Sequence, residues 1–256
     1  MSEVGRDSHT IRHPGRALQT AGPASRLALA GAVLALAMPV IVAVLVPGAG
    51  IAAALSAGVA MALGTALAVR AMAADYPHAR VGLCNLVTLG RLAMAAMLVV
   101  PLAMPGGLDG RPGLAWSLVA LIGVGLALDG LDGLLARRSG LASAFGARFD
   151  MEVDAALAAM LAALALASGK AGVWVLALGL MRYGFVAAMV ILPWLRAPLP
   201  DRRSRKVACV VQIGVLIVLL APPVVPPVSA VLGLAALAAL TWSFAVDVRW
   251  LWRNRA

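Results

Sequence analysis

Long apolar runs separated by short polar breaks dominate the chain, and they set its architecture more than any two-residue alternation does. A helix rises 1.5 Å per residue, so about 20 consecutive apolar residues cross the hydrocarbon layer of a bilayer. Measured that way, eight segments qualify: roughly 27–46, 50–73, 86–104, 113–134, 147–167, 172–195, 207–222 and 227–247. The breaks carry residues that end helices: Pro47-Gly48, Pro105-Gly106-Gly107, Gly169, Pro198 with Pro200, and the pairs Pro222-Pro223 and Pro226-Pro227. The first run is longer than the apolar core of a secretory signal and follows 26 polar-rich residues. It is therefore expected to persist as an uncleaved helix.

Composition strengthens this reading. Of 256 residues, 62% are hydrophobic and 12% charged, whereas a soluble domain is about 45–50% apolar and about 25% charged. A core of this size cannot hide the excess, which excludes a soluble enzyme, a disordered chain and a secreted disulfide scaffold. Aromatic residues make up only 5% of the chain and period-two alternation is scarce, so helices are expected rather than a barrel. The expected fold is an all-α integral membrane protein with eight transmembrane helices.

Charge then orients the segments. With the amino terminus cytoplasmic, the inward segments 1–26, 70–91, 129–148, 196–206 and 248–256 hold 18 of the 21 Lys and Arg residues. The outer loops hold only Arg111 and Lys170, and Arg182 falls inside a run. This satisfies the positive-inside rule and predicts a multi-pass protein of the cell's inner (plasma) membrane with both termini cytoplasmic. The net charge of +10 reports this topology and contact with anionic membrane lipids. No basic stripe alternates with aromatics, so no nucleic-acid partner is expected. Cys84 and Cys209 form no CxxC pair, and His9, His13 and His78 lie in polar connectors, leaving little material for a zinc site. No internal repeat suggests an inverted-repeat transporter.

The candidate chemistry is acidic. Five of the eleven Asp and Glu residues fall within 129–154: Asp129, Asp132, Asp150, Glu152 and Asp154. Ionised carboxylates in a span cost on the order of 2.5–3.5 kcal/mol each at mid-bilayer, so they persist with partners or for function. Asp129 and Asp132, three apart, share one helix face, and Asp150 and Asp154, four apart, share another. Placed at the cytoplasmic ends of two consecutive spans, the two pairs can meet. Four carboxylates together repel one another unless a cation joins them. Hard oxygen donors at that density suit Mg²⁺ or Mn²⁺, as two ions bridged by a shared carboxylate. Such a pair clamps the two oxygens of an in-line displacement at phosphorus. Gly133 and Gly146 permit close approach, Arg137 offers a guanidinium to a phosphate, and Ser143 offers a hydroxyl.

Written out, the stretch is Asp129-x2-Asp132-Gly133-x2-Ala136-Arg137-x8-Gly146-x3-Asp150-x3-Asp154. It resembles the CDP-alcohol phosphotransferase signature D-x2-D-G-x2-A-R-x8-G-x3-D-x3-D at every specified position. The resemblance implies a six-helix catalytic core over 80–250, leaving 1–26 and 251–256 as cytoplasmic tails and 27–75 as two additional amino-terminal helices. It implies that Asp129, Asp132 and Asp150 ligate two divalent metals, with Asp129 and Asp150 bridging both. Asp154 would ligate the second metal and take the acceptor hydroxyl's proton. Gly133, Arg137 and Ser143 match positions that hold the CDP moiety. Asn85-Leu86-Val87-Thr88 is similar to a short polar stretch that also touches the nucleotide; taken alone, Asn85 and Thr88 at a helix start read as caps. Glu152 stands outside the pattern and is expected to be solvated or paired with an arginine.

The implied reaction is attack of an unidentified acceptor alcohol on the β-phosphate of a CDP-alcohol, most often CDP-diacylglycerol, with release of CMP. Homodimers are common in the family. Arg182, Arg202 and Lys206 are candidates to bind a phosphate on the acceptor, against a plain topogenic role for the basic loop. Two other classes compete. A metal-dependent membrane prenyltransferase would show two separate Asp-rich motifs, and an ion-coupled transporter would place lone acids at mid-bilayer.

Overall fold

The computed structural model of the protein describes residues 22–139, 141, 143–200 and 202–255, and of residues 128–139 the backbone alone. Helices α1 (Pro23–Leu45) and α2 (Ile51–Asp75) form a hairpin. Helix α3 (Leu83–Met97) continues into the short α4 (Val99–Ala103), and α5 (Pro112–Ser139), α6 (Ala144–Ala167) and α7 (Leu176–Ile191) follow. The described chain closes with α8 (Arg203–Leu220) and α9 (Val228–Arg253). With α3 and α4 taken as one rod, every expected span lies on a helix, and no strand occurs among the described residues.

Where helices outrun the expected spans, one reason serves. Apolar runs measure the bilayer, whereas helices continue into water through charged residues. Thus α5 runs to Ser139 and α9 to Arg253, while α8 already begins at Arg203. Pro193 opens a 3₁₀ turn, Pro193–Arg196, after α7 has ended at Ile191. Among the described residues, five helical rods are long and apolar enough to cross a membrane, and α5 contributes a shorter apolar stretch over Pro112–Ala127. The first half of α6 carries Arg148, Asp150, Glu152 and Asp154, and the start of α8 carries Arg203, Arg205 and Lys206.

Local chemistry explains the breaks. Pro101 has no N–H for the Met97 carbonyl, and α3 stops at Met97. Pro39 likewise frees the Ala35 carbonyl inside α1. Gly58 of α2 packs against that carbonyl, where an added Cβ would lie 2.9 Å from the oxygen. Ser143 caps α6, its Oγ accepting from the Gly146 N–H at 3.0 Å.

Helix α6 belongs to two buried clusters. Its Phe145, Phe149 and Val153 pack with Leu27, Met61 and Leu89 of α1–α3. Its Leu157, Leu161 and Leu164 pack with Ile122, Leu178 and Leu216 of α5, α7 and α8. Small residues bring backbones together, as membrane helices require: a Cβ on Gly179 of α7 would lie 2.6 Å from the Ala159 Cα. At the end reached by the carboxyl terminus of α6, Lys170 Nζ donates to the carbonyls of Ala221, Pro222 and Val224. Burial there pushes the Lys170 ammonium below its ordinary pKa.

Candidate active site

The site forms where α3 runs alongside α6. Asn85 in the first turn of α3 is 1% exposed and faces Gly146 of α6. A Cβ on Gly146 would lie 2.9 Å from Asn85 Oδ1, so the close approach expected of this glycine is made to α3. Further along both helices Arg91 is 3% exposed, and its Nη1 donates to Asp150 Oδ1 at 2.5 Å. Its Nη2 donates to Asp154 Oδ1. The contacts advance in the same order along both helices, so α3 and α6 run parallel.

Asp150 and Asp154 are about 40° apart around α6 and share one face, as their spacing predicts. Their side chains keep 41% and 29% of their surface exposed, so the pair is open as well as held. This face already binds one cation, the Arg91 guanidinium, with hard carboxylate oxygens, the donor chemistry that suits Mg²⁺ or Mn²⁺.

Helix α5 reaches the same region. Its Gly125 packs on Met94 of α3, where a Cβ would lie 2.7 Å from the sulfur. Ala95 of α3 and Leu98 just past its end cluster with Ile122 and Leu118 of α5, so the two helices are antiparallel. The α5 backbone at 129–132 therefore continues from Gly125 toward the level of Arg91. Gly133 lies on the same α5 backbone, and the side chains of Asp129, Asp132 and Arg137 lie outside the described residues. Among the described residues, no three His, Cys, Asp or Glu side chains come together as a metal site.

Other candidates take different positions. Asn85 and Thr88 are not caps: Gly82 holds the N-cap position of α3, with no side-chain cap. Thr88 Oγ1 donates to the Cys84 carbonyl at 3.0 Å, and Asn85 Nδ2 donates to Tyr76 Oη at 3.3 Å. Glu152 lies about 200° around α6 from Asp150 and pairs with Arg182, which also donates to Met151 Sδ at 2.7 Å. Arg182 is thus held on the face of α6 away from the Asp150–Asp154 pair. Arg202 donates to Asp247 Oδ1 of α9 at 2.7 Å, and Arg205 reaches Oδ2 of the same carboxylate at 3.5 Å. Lys206 is exposed in the first turn of α8.

Three side chains that hold candidate residues escape the sequence reading: Arg91, Asp247 and Tyr76. A charged residue inside an apolar run signals the first two. Tyr76 lies in a linker. Its Oη donates to the Arg80 carbonyl at 2.9 Å and accepts from Gly82 N–H at 3.1 Å and from Asn85. That uses a phenol's full capacity of one donor and two acceptors. Its ring meets Phe145 edge-on at 5.6 Å.

A model of the CDP-alcohol phosphatidyltransferase family matches residues 81–244. The chain belongs to this family. Neither a curated protein nor a solved structure matches it. It is accordingly a multi-pass membrane transferase that moves a phosphate-linked group from a CDP-alcohol, in a family that generally uses divalent metals. The matched residues take in α3 and the acidic stretch of α5 and α6, while α1 and α2 lie outside them.

Proposed function

We propose that this transferase uses CDP-diacylglycerol as donor and releases CMP as it passes the phosphatidyl group to an acceptor alcohol at the cytoplasmic face, in phospholipid biosynthesis. The observation that carries the reading is the carboxylate pair Asp150–Asp154, partly open and facing α3 inside the region that the family model matches. Asp129, Asp132, Asp150 and Asp154 are the residues that would hold two divalent cations, Mg²⁺ or Mn²⁺. When bound, these supply positive charge to the β-phosphate and to the oxygen on which CMP departs.

The chain's own groups do the rest. Asp154 accepts the proton of the acceptor hydroxyl as its oxygen bonds to the β-phosphorus. The bond from that phosphorus to the oxygen bridging the two phosphates breaks, and the electron pair leaves with CMP. Arg137 neutralises phosphate charge, and Gly133 and Ser143 border the nucleotide. Asn85, at the buried start of α3 and oriented by Tyr76, is assigned to the nucleotide by the family resemblance. The positive-inside distribution of Lys and Arg supports a cytoplasmic site, where a lipid donor keeps its acyl chains in the bilayer.

The test is CMP release by detergent-purified protein with CDP-diacylglycerol and Mg²⁺ or Mn²⁺. The acceptors are glycerol 3-phosphate, inositol, inositol 1-phosphate, serine, choline and a second phospholipid. Acceptor-dependent release is expected, falling by about 10²–10⁴-fold in Asp154→Asn. Pyrophosphate in place of CMP, or release indifferent to Asp154→Asn, defeats the reading.

A further inference from the structure

We propose that Arg91 is the resident counter-cation of the acid cluster. It balances Asp150 and Asp154 and, by staying beside them, holds the affinity of the protein for divalent cations low. The inference rests on the metal-binding reading above.

Three observations carry it. Arg91 is 3% exposed, so its charge is held in the bundle with little screening by water. Its guanidinium spans both carboxylates, one from Nη1 and one from Nη2, across consecutive turns of α6. Lysine has no planar fork to do this. The residue also arises from α3, a helix that contacts both α5 and α6, and so from the middle of the elements that carry the four acids.

Two consequences of removing the guanidinium oppose each other. Losing its hydrogen bonds loosens the carboxylates and weakens cation binding. Losing its positive charge removes repulsion against a doubly charged ion held by the same oxygens, and tightens it. Coulomb energy scales with the product of the charges and falls only as the first power of distance, so a doubly charged ion bound by these carboxylates would feel the loss of the Arg91 charge more than the loss of its hydrogen bonds. A role confined to orienting the carboxylates gives the opposite sign.

The experiment is titration of detergent-purified protein with Mn²⁺, following the free-ion electron paramagnetic resonance signal, without nucleotide. Arg91→Gln and Arg91→Met are two neutral replacements of different polarity, so either one that folds suffices. Binding about tenfold tighter than wild type is expected in either. Arg91→Lys retains the charge and is expected within about threefold of wild type. In chelator, the neutral variants melt below wild type, and Mn²⁺ returns more of their stability than it adds to the wild type. Mn²⁺ bound by the wild type but equally or more weakly by both neutral variants overturns the proposal alone. Absence of Mn²⁺ binding in wild type and variants overturns the metal reading and this proposal together.

Discussion

The α1–α2 hairpin and the α3–α6 face are both helix contacts within one bundle, yet they close by opposite chemistry. In the hairpin the buried positions are Leu, Met, Val, Ala and Gly, with Thr65 alone carrying a buried polar side chain among the residues of α1 and α2. In the α3–α6 contact Asn85, Thr88 and Arg91 are buried and each has hydrogen-bond partners. Shape suffices to join two apolar helices in lipid. Buried polar groups cost stability unless partnered, so the run of them along this face is where we propose the chemistry to lie. The hairpin is thus read as packing and the α3–α6 face as machinery.

The sharpest way to break that contrast is steric. Gly58→Val puts a side chain onto the Ala35 carbonyl, a backbone atom that cannot swing aside. A cost of about 1–3 kcal/mol is expected, seen as a lower melting temperature in detergent. CMP release per folded molecule should stay within about twofold of wild type, against the about 10²–10⁴-fold loss expected for Asp154→Asn. A loss of turnover matching Asp154→Asn, at temperatures where the variant is folded, would place the hairpin inside the machinery.

Tyr76→Phe probes the seam between the two regions. It removes one hydroxyl that holds Arg80, Gly82 and Asn85 and leaves the ring on Phe145. Losing the bond to a buried amide costs about 1–3 kcal/mol. Because Asn85 is assigned to the nucleotide, we expect KM for the CDP donor to rise about tenfold with kcat nearly unchanged. A fall in kcat at constant KM would instead tie Tyr76 to the carboxylates.

What the sequence discloses divides along the same line. The spans are legible because an apolar run of bilayer length has few other structures open to it. The Asp150–Asp154 face is legible because a four-residue spacing fixes a helix face whatever surrounds it. Arg91 is not, since its partners lie 59 and 63 residues away and charge counting assigns it to a cytoplasmic flank. Arg202 shows the reverse: weighed as a phosphate ligand against a topogenic role from its basic neighbours, it pairs with Asp247, 45 residues further on. Periodicity reports the face a residue occupies, and only tertiary packing reports what meets it there. Helix ends fall between these cases, because the charged residues that carry α5 to Ser139 end an apolar run without ending a helix.

The smallest expected effect lies at the one polar exception in the hairpin. Thr65 is 6% exposed, packs where a Cβ on Gly31 would meet its Cγ2, and has a buried Oγ1 without a hydrogen-bond partner. Valine keeps the branched shape and removes the unsatisfied hydroxyl, and a change of this kind is neutral to stabilising. Thr65→Val should therefore raise stability by about 1 kcal/mol or less, a melting shift of no more than about 2–4 °C, with CMP release unaltered. A lower melting temperature would mean that the hydroxyl finds a partner in the membrane. The hairpin would then be held by a polar contact of the kind that marks the α3–α6 face, and the distinction between packing and machinery would narrow to the carboxylates and Arg91.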